Sequence, residues 1–133
     1  MRVMIIGCGR VGSVLANRLD EAGHRVAVLD RSQQAFRRLS EKFSGERIVG
    51  NGLVEEYVRP TLQGKADILF AMTDKDNVNL MIVQRVKRHF QVGRVIAVVH
   101  DSILAGLYKE LGVETVCPTD LVIKDLLKEI QER

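Results

Sequence analysis

Six consecutive residues near the start of the chain, Gly7-Cys8-Gly9-Arg10-Val11-Gly12, and one carboxylate downstream, Asp30, have the types and spacing of a phosphate and ribose site. The pattern is G-x-G-x-x-G with an acid about twenty residues on, and each position has a mechanical reason. Gly7 permits a tight turn, Gly9 lets backbone approach a pyrophosphate, and Gly12 lets the following helix pack close to its strand. The N–H groups of Arg10, Val11 and Gly12 would then face an anion, helped by the positive end of the helix dipole. Asp30 offers acceptors to a ribose hydroxyl. Its charge disfavours a 2′-phosphate, which points to NAD(H) or an adenosine nucleotide (AMP, ADP or ATP) rather than NADP. Arg31 beside it offers a charge to a phosphate or is simply a solvated side chain.

Other polar residues fall where further strands end. Asn51 and Gly52 follow one strand, with Asn51 as a ligand contact or a turn residue at positive φ between two glycines. Met72 and Thr73 follow another, with Thr73 beside a phosphate or ribose or serving as a turn hydroxyl. Asp76 reads as the N-cap of the next helix. Cys8 precedes a helix, where a thiolate would be stabilised, but a small residue in a glycine loop explains it better. His24, His89 and His100 lack metal-site spacing, so no metal is expected. Arg85, Lys87, Arg88 and His89 read as a solvated helix face; without stacking aromatics they do not suggest nucleic acid.

The elements that must position these groups alternate. Val3-Met4-Ile5-Ile6 is a short apolar run suited to a buried parallel strand, and the helix after it ends at Gly23. Further strands are read at 26–29, 47–49, 67–72, 94–99 and 113–117. Helices are read at 34–43, 53–59 (with Pro60 near its end), 77–90 and 102–111. Six strand–helix units with short connections imply an α/β fold, a Rossmann-like doubly wound parallel sheet of order 3-2-1-4-5-6. Ligand should sit at the carboxyl edge, between strands 1 and 4. Residues 1–118 then form the nucleotide-binding domain. Residues 119–133 form an amphipathic helix with Ile123, Leu126, Leu127 and Ile130 on one stripe. No further strand receives that stripe, so it folds back on its own sheet or crosses to a second subunit.

Composition sets the remaining bounds. The chain has 133 residues, a length suited to one domain, with 46% hydrophobic residues and Lys+Arg 20 against Asp+Glu 17. The mild basic excess suits an anionic ligand without pointing to nucleic acid. The apolar start breaks at Gly7, unlike a signal peptide, and no apolar run approaches the roughly 20 residues that span a bilayer. Two separated cysteines suit a reducing compartment, so the expectation is a cytoplasmic protein without direct membrane insertion.

These motifs together resemble one family. The run Gly7-x-Gly9-Arg10-x-Gly12, then Gly23-His24-x-Val26-x-Val28-x-Asp30, is similar to the nucleotide-binding RCK or KTN (TrkA N-terminal) domain. Such domains serve Trk- and Ktr-type potassium uptake systems and ligand-gated potassium channels. Val49-Gly50-Asn51-Gly52 resembles the family's V-G-D-A segment, and Ala71-Met72-Thr73-x-x-Asp76-x-x-Asn79-Leu80 its A-x-T-x-x-D-x-x-N-L segment. Val95-Ile96-Ala97, Leu111-Gly112-Val113 and Pro118 continue the likeness. The resemblance implies NAD(H) or adenine-nucleotide binding, a dimer or larger ring through the crossing C-terminal helix, and a cytoplasmic position against a membrane channel or transporter subunit. It implies a non-enzymatic regulator; the other class to weigh is the cofactor half of an NAD-dependent oxidoreductase. Two positions depart from the family: Asn51 stands where an acid is usual, and Val98 where an arginine is usual.

Overall fold

The computed structural model describes residues 1–131. Its elements run β1 (Arg2–Ile6), α1 (Arg10–Glu21), β2 (Arg25–Asp30), a 3₁₀ helix (Gln33–Arg38) and β3 (Glu46–Val49). They continue with α2 (Glu55–Leu62), β4 (Ile68–Ala71), α3 (Asp76–His89), β5 (Arg94–Val98), α4 (Ser102–Glu110), β6 (Thr115–Val116) and α5 (Pro118–Gln131). All five strand pairings are parallel, in the order β3-β2-β1-β4-β5-β6. This is the topology that the alternating pattern implies.

The pleat sorts side chains to two cores. Met4, Ile6 and Leu29 meet Val58 and Leu62 of α2, Ile82, Val83 and Val86 of α3, and Ala105 of α4. Val3, Ile5 and Val28 meet Ala16 of α1 and the aromatic pair Phe36 and Phe43. Helices α1 and α4 both stop with a left-handed glycine. At Gly23 (φ 91°) the His24 N–H reaches the Leu19 carbonyl, and at Gly112 (φ 88°) the Val113 N–H reaches that of Tyr108.

Two expectations change. The helix read at 34–43 is a 3₁₀ helix ending at Arg38. Beyond it, α1 claims the backbone donors that a longer helix would use internally. Asn17 Oδ1 accepts from the Ser40 N–H at 2.9 Å, and Asp20 accepts from the Ser44 N–H at 2.9 Å and the Ser44 hydroxyl at 2.7 Å. Helix α2 runs past Pro60 to Leu62 rather than ending beside it; burial of Val58 and Leu62 offsets the missing rung.

The β1–α1 junction leaves no room for a side chain at Gly12. A Cβ on Gly12 would lie 2.1 Å from the Gly7 carbonyl oxygen, whereas one on Gly106 of α4 would meet nothing within 4 Å. Gly12→Ala should therefore lose about 2–3 kcal/mol by overpacking. Gly106→Ala should gain about 0.5–1 kcal/mol from helix propensity. Urea denaturation of both variants checks the contrast, and equal midpoints would contradict it.

Candidate functional site

A cleft of about 920 Å³ opens at the carboxyl edge, where β1 separates β2 from β4. Its volume is at the upper end of what ligand sites usually offer. Eight of the residues singled out from sequence line it: Gly7, Gly9, Asp30, Arg31, Asn51, Gly52, Met72 and Thr73. The side chains of Arg10 and Val11 are exposed on the first turn of α1, and Gly12 packs under Gly7; none of the three lines the cleft.

The glycine loop has the form that its spacing implies. Gly7 sits at φ 113°, and a Cβ there would lie 2.5 Å from the Met72 carbonyl oxygen. Gly9 has the opposite surroundings: a Cβ would touch nothing, so its open face is a place where another molecule's atoms can approach backbone. No side chain caps α1, and its first turn holds no acid. The first backbone rung runs from the Ser13 N–H to the Gly9 carbonyl at 2.9 Å, leaving the N–H groups of Arg10, Val11 and Gly12 ahead of it. Uncapped donors beside an open glycine and a wide cleft fit a phosphate group well.

Asp30 is held from both sides. Its carboxylate accepts from the Cys8 N–H and from the Ser32 N–H, each at 2.8 Å, which ties the glycine loop to the end of β2. A carboxylate has about four acceptor sites, so each oxygen keeps capacity for a further donor. Asn51 is not at positive φ; its Oδ1 accepts from the Leu53 N–H at 2.9 Å, a local turn that leaves the amide nitrogen free of any bond among the described residues. Thr73 is fixed by Asn79, which is fully buried yet makes four bonds. Asn79 Oδ1 accepts from the Thr73 N–H at 2.8 Å and hydroxyl at 2.6 Å, and its amide donates to the Thr73 and Val98 carbonyls at 3.1 and 2.8 Å.

Cys8 is completely buried, its thiol 3.5 Å from the Ala35 carbonyl. Burial, then the charge of Asp30, pushes the thiol up despite Arg38 and Arg47, so it packs rather than reacts. Three cations of the cleft lie outside the sequence reading: Arg37, Arg38 and Lys75. The two arginines belong to the segment after β2, where 3₁₀ spacing sets Gln34 and Arg37 one turn apart on the cleft side.

Asp76 does not cap its own helix. Its Oδ1 accepts from the His100 N–H at 2.8 Å and lies 3.1 Å from His100 Nδ1, while Oδ2 accepts from the Asp101 N–H at 2.9 Å. Asp101 in turn caps α4 through the Leu104 N–H at 2.9 Å. The same loop anchors α5. The His100 carbonyl accepts from the Thr119 hydroxyl, and the Ser102 hydroxyl donates to Asp120, both at 2.7 Å. Asp76 directly follows Lys75 of the cleft wall, and the His100–Ser102 loop that it holds anchors the first turn of α5. Among the described residues no cluster of His, Cys, Asp and Glu could hold a metal ion, and no helix is long and apolar enough to cross a membrane.

Burial raises the Asp76 carboxyl, but the two backbone N–H groups and the His100 ring outweigh it and hold the group below the usual aspartate range. Its contribution is then complete above an unfolded value of about 3.9 and is lost as pH falls through that value toward the lower folded one. Asp76→Asn should cost about 1–2 kcal/mol at pH 7, since the charge-assisted bonds are partly exposed. The gap from wild type should close below about pH 4. Urea titrations at several pH values measure it; a gap that did not narrow in acid would show that the charge contributes nothing.

The TrkA-N domain profile matches residues 3–119. The chain is 35% identical over 130 residues to the Trk system potassium uptake protein TrkA of Streptomyces coelicolor, an alignment that spans 98% of this chain and 58% of that protein. In three dimensions it is similar to the TrkA-N domain of the inner membrane protein ybaL from Escherichia coli. The TM-score there is 0.82 at 21% identity, over 96% of this chain and 94% of the other. It is also similar to the Shewanella denitrificans Kef C-terminal domain in its AMP-bound form, with a TM-score of 0.79 at 23% identity, over 98% and 80% of the two chains. By that match over residues 3–119, the chain belongs to the TrkA-N domain family.

Proposed function

We propose that this chain is a regulatory domain that binds NAD(H) or an adenine nucleotide and passes its occupancy to a membrane potassium channel or uptake transporter. The observation that carries the reading is the uncapped N-terminus of α1, set beside the open face of Gly9 in the wide carboxyl-edge cleft. A nucleotide would lay its phosphates against the N–H groups of Arg10, Val11 and Gly12. Its ribose would meet the free acceptor sites of Asp30. Arg31, Asn51, Gly52, Met72 and Thr73 would complete the walls. Family membership and the potassium-uptake relative supply the transport context.

A sensor needs an output that differs between two states. The output we assign is α5, which has no buried residue. Leu121, Val122, Ile123, Leu126, Leu127 and Ile130 are each at least half exposed. Covering Ile123, Leu126, Leu127 and Ile130 would be worth about 1.5–3 kcal/mol each. The occupant we assign is α5 of a second copy, which gives a homodimer or a ring built from dimers. The contacts from Asp76 through His100 to Thr119 would let a ligand that shifts Thr73–Lys75 bias the angle at which α5 leaves the sheet.

Two outcomes are expected. In a thermal-shift panel of NAD, NADH, AMP, ADP and ATP, a bound nucleotide at about 100 times its dissociation constant should stabilise by about 2.7 kcal/mol, without turnover of small carbonyl compounds. No shift with any nucleotide would overturn the sensor reading, and steady hydride transfer would favour an oxidoreductase. Light scattering coupled to size exclusion should find a dimer that Leu127→Asp converts to a monomer of unchanged sheet stability. A monomeric wild type would remove the crossing helix as the output.

A further inference from the structure

We propose that Asn79 is a positioning residue that makes Thr73 an acceptor-only contact in the cleft. An adenosine diphosphate extended by a second sugar is then preferred to one extended by further phosphate. This rests on the nucleotide-binding reading and narrows it to a ligand class.

Backbone groups set the polarity. Asn79 is fully buried, and three of its bonds go to main-chain groups whose roles cannot change. The carbonyls of Thr73 and Val98, at 3.1 and 2.8 Å, only accept, so the Asn79 nitrogen must face them. The Thr73 N–H, at 2.8 Å, only donates, so Oδ1 must face it. Oδ1 carries no hydrogen and lies 2.6 Å from the Thr73 hydroxyl, so the hydroxyl is the donor in that bond. Its one proton has a second protein acceptor, the Lys75 carbonyl, but at 3.3 Å this competes weakly. The Lys75 N–H, also at 3.3 Å, takes one of the two lone pairs. What Thr73 has left for a ligand is the other lone pair. Turning the proton toward a ligand would break the 2.6 Å bond to a fully buried acceptor.

Its place in the cleft decides which part of a ligand Thr73 meets. Strands β2 and β4 flank β1, so Asp30 and Thr73 stand on opposite sides of the glycine loop. Asp30 holds that loop through the Cys8 N–H at 2.8 Å. Thr73 abuts it from the other side, since a Cβ on Gly7 would lie 2.9 Å from the Thr73 nitrogen. With one ribose at Asp30 and the phosphates on the loop, Thr73 faces whatever extends beyond them. An ionised phosphate oxygen is itself an acceptor and gains nothing from a lone pair, whereas a sugar hydroxyl can donate to it. The neighbours Asp74 and Lys75 line the same wall with opposite signs, so charge there does not favour a phosphate chain.

The test is calorimetric titration of the intact chain with ADP-ribose, ADP and ATP, repeated with Thr73→Val, Thr73→Ser and Asn79→Ala. Wild type should bind ADP-ribose about three- to tenfold more tightly than ADP or ATP, the worth of one neutral hydrogen bond. Thr73→Val keeps the side-chain shape and the backbone bonds to Asn79, and should close that gap. Thr73→Ser keeps the hydroxyl and should retain it. Asn79→Ala releases the hydroxyl proton, so the ratio of ADP-ribose to ATP affinity should fall; Thr73→Val reads the same contact should Asn79→Ala not fold. Wild type that bound ATP as tightly as ADP-ribose would overturn the selection but leave the nucleotide site standing. A gap that survived Thr73→Val, or an equal loss of ATP and ADP-ribose, would overturn the acceptor role of Thr73. An unchanged ratio in folded Asn79→Ala would overturn the positioning role of Asn79. Failure of all three ligands to bind would overturn the underlying nucleotide reading as well.

Discussion

The close passage of Gly12 under the Gly7 carbonyl is the contact on which the rest of the architecture depends. Because no side chain intervenes, α1 starts directly against the top of β1, and its first N–H groups open toward the carboxyl edge. Any Cβ at Gly12 would push the helix away and turn those donors aside. Gly7 meets the same demand from the other side, since its left-handed backbone passes the Met72 carbonyl with no room for a methyl group. Both constraints converge on one place because β1 lies between β2 and β4, so loops from three strands meet there.

Around this junction the loops are joined by side chains bonded to the backbone of another loop. Asp30 ties β2 to the glycine loop, Asn79 ties α3 to the ends of β4 and β5, and Asp76 ties α3 to the start of α4. Each is a short polar side chain that satisfies backbone donors or acceptors which the sheet leaves unpaired. Buried polar groups of this kind are costly unless fully satisfied, and Asn79 is fully satisfied. Each of these three side chains thus fixes one pair of segments at the carboxyl edge to each other.

Much of this was legible in advance because it depends on local pattern. Apolar runs of strand length, helix-spaced stripes and glycines at helix ends each follow from the conformational preferences of a few neighbouring residues. They were enough to place all six strands in their order. What went unread has its partner far away along the chain. Asp76 looks like an N-cap from its neighbours, yet its partners are His100 and Asp101. The segment after β2 looks like an α-helix, yet Asn17 and Asp20 of α1 take its backbone donors and cut it short.

The sequence by itself therefore determined the fold class, the strand order and eight of the residues that line the cleft, because glycine geometry and hydrophobic period act over one or two turns of chain. Tertiary structure alone decided the electrostatic character of the cleft and the target of Asp76. Charges close in space need not be close in sequence, and no local periodicity encodes which backbone N–H a carboxylate will find once the loops have packed together.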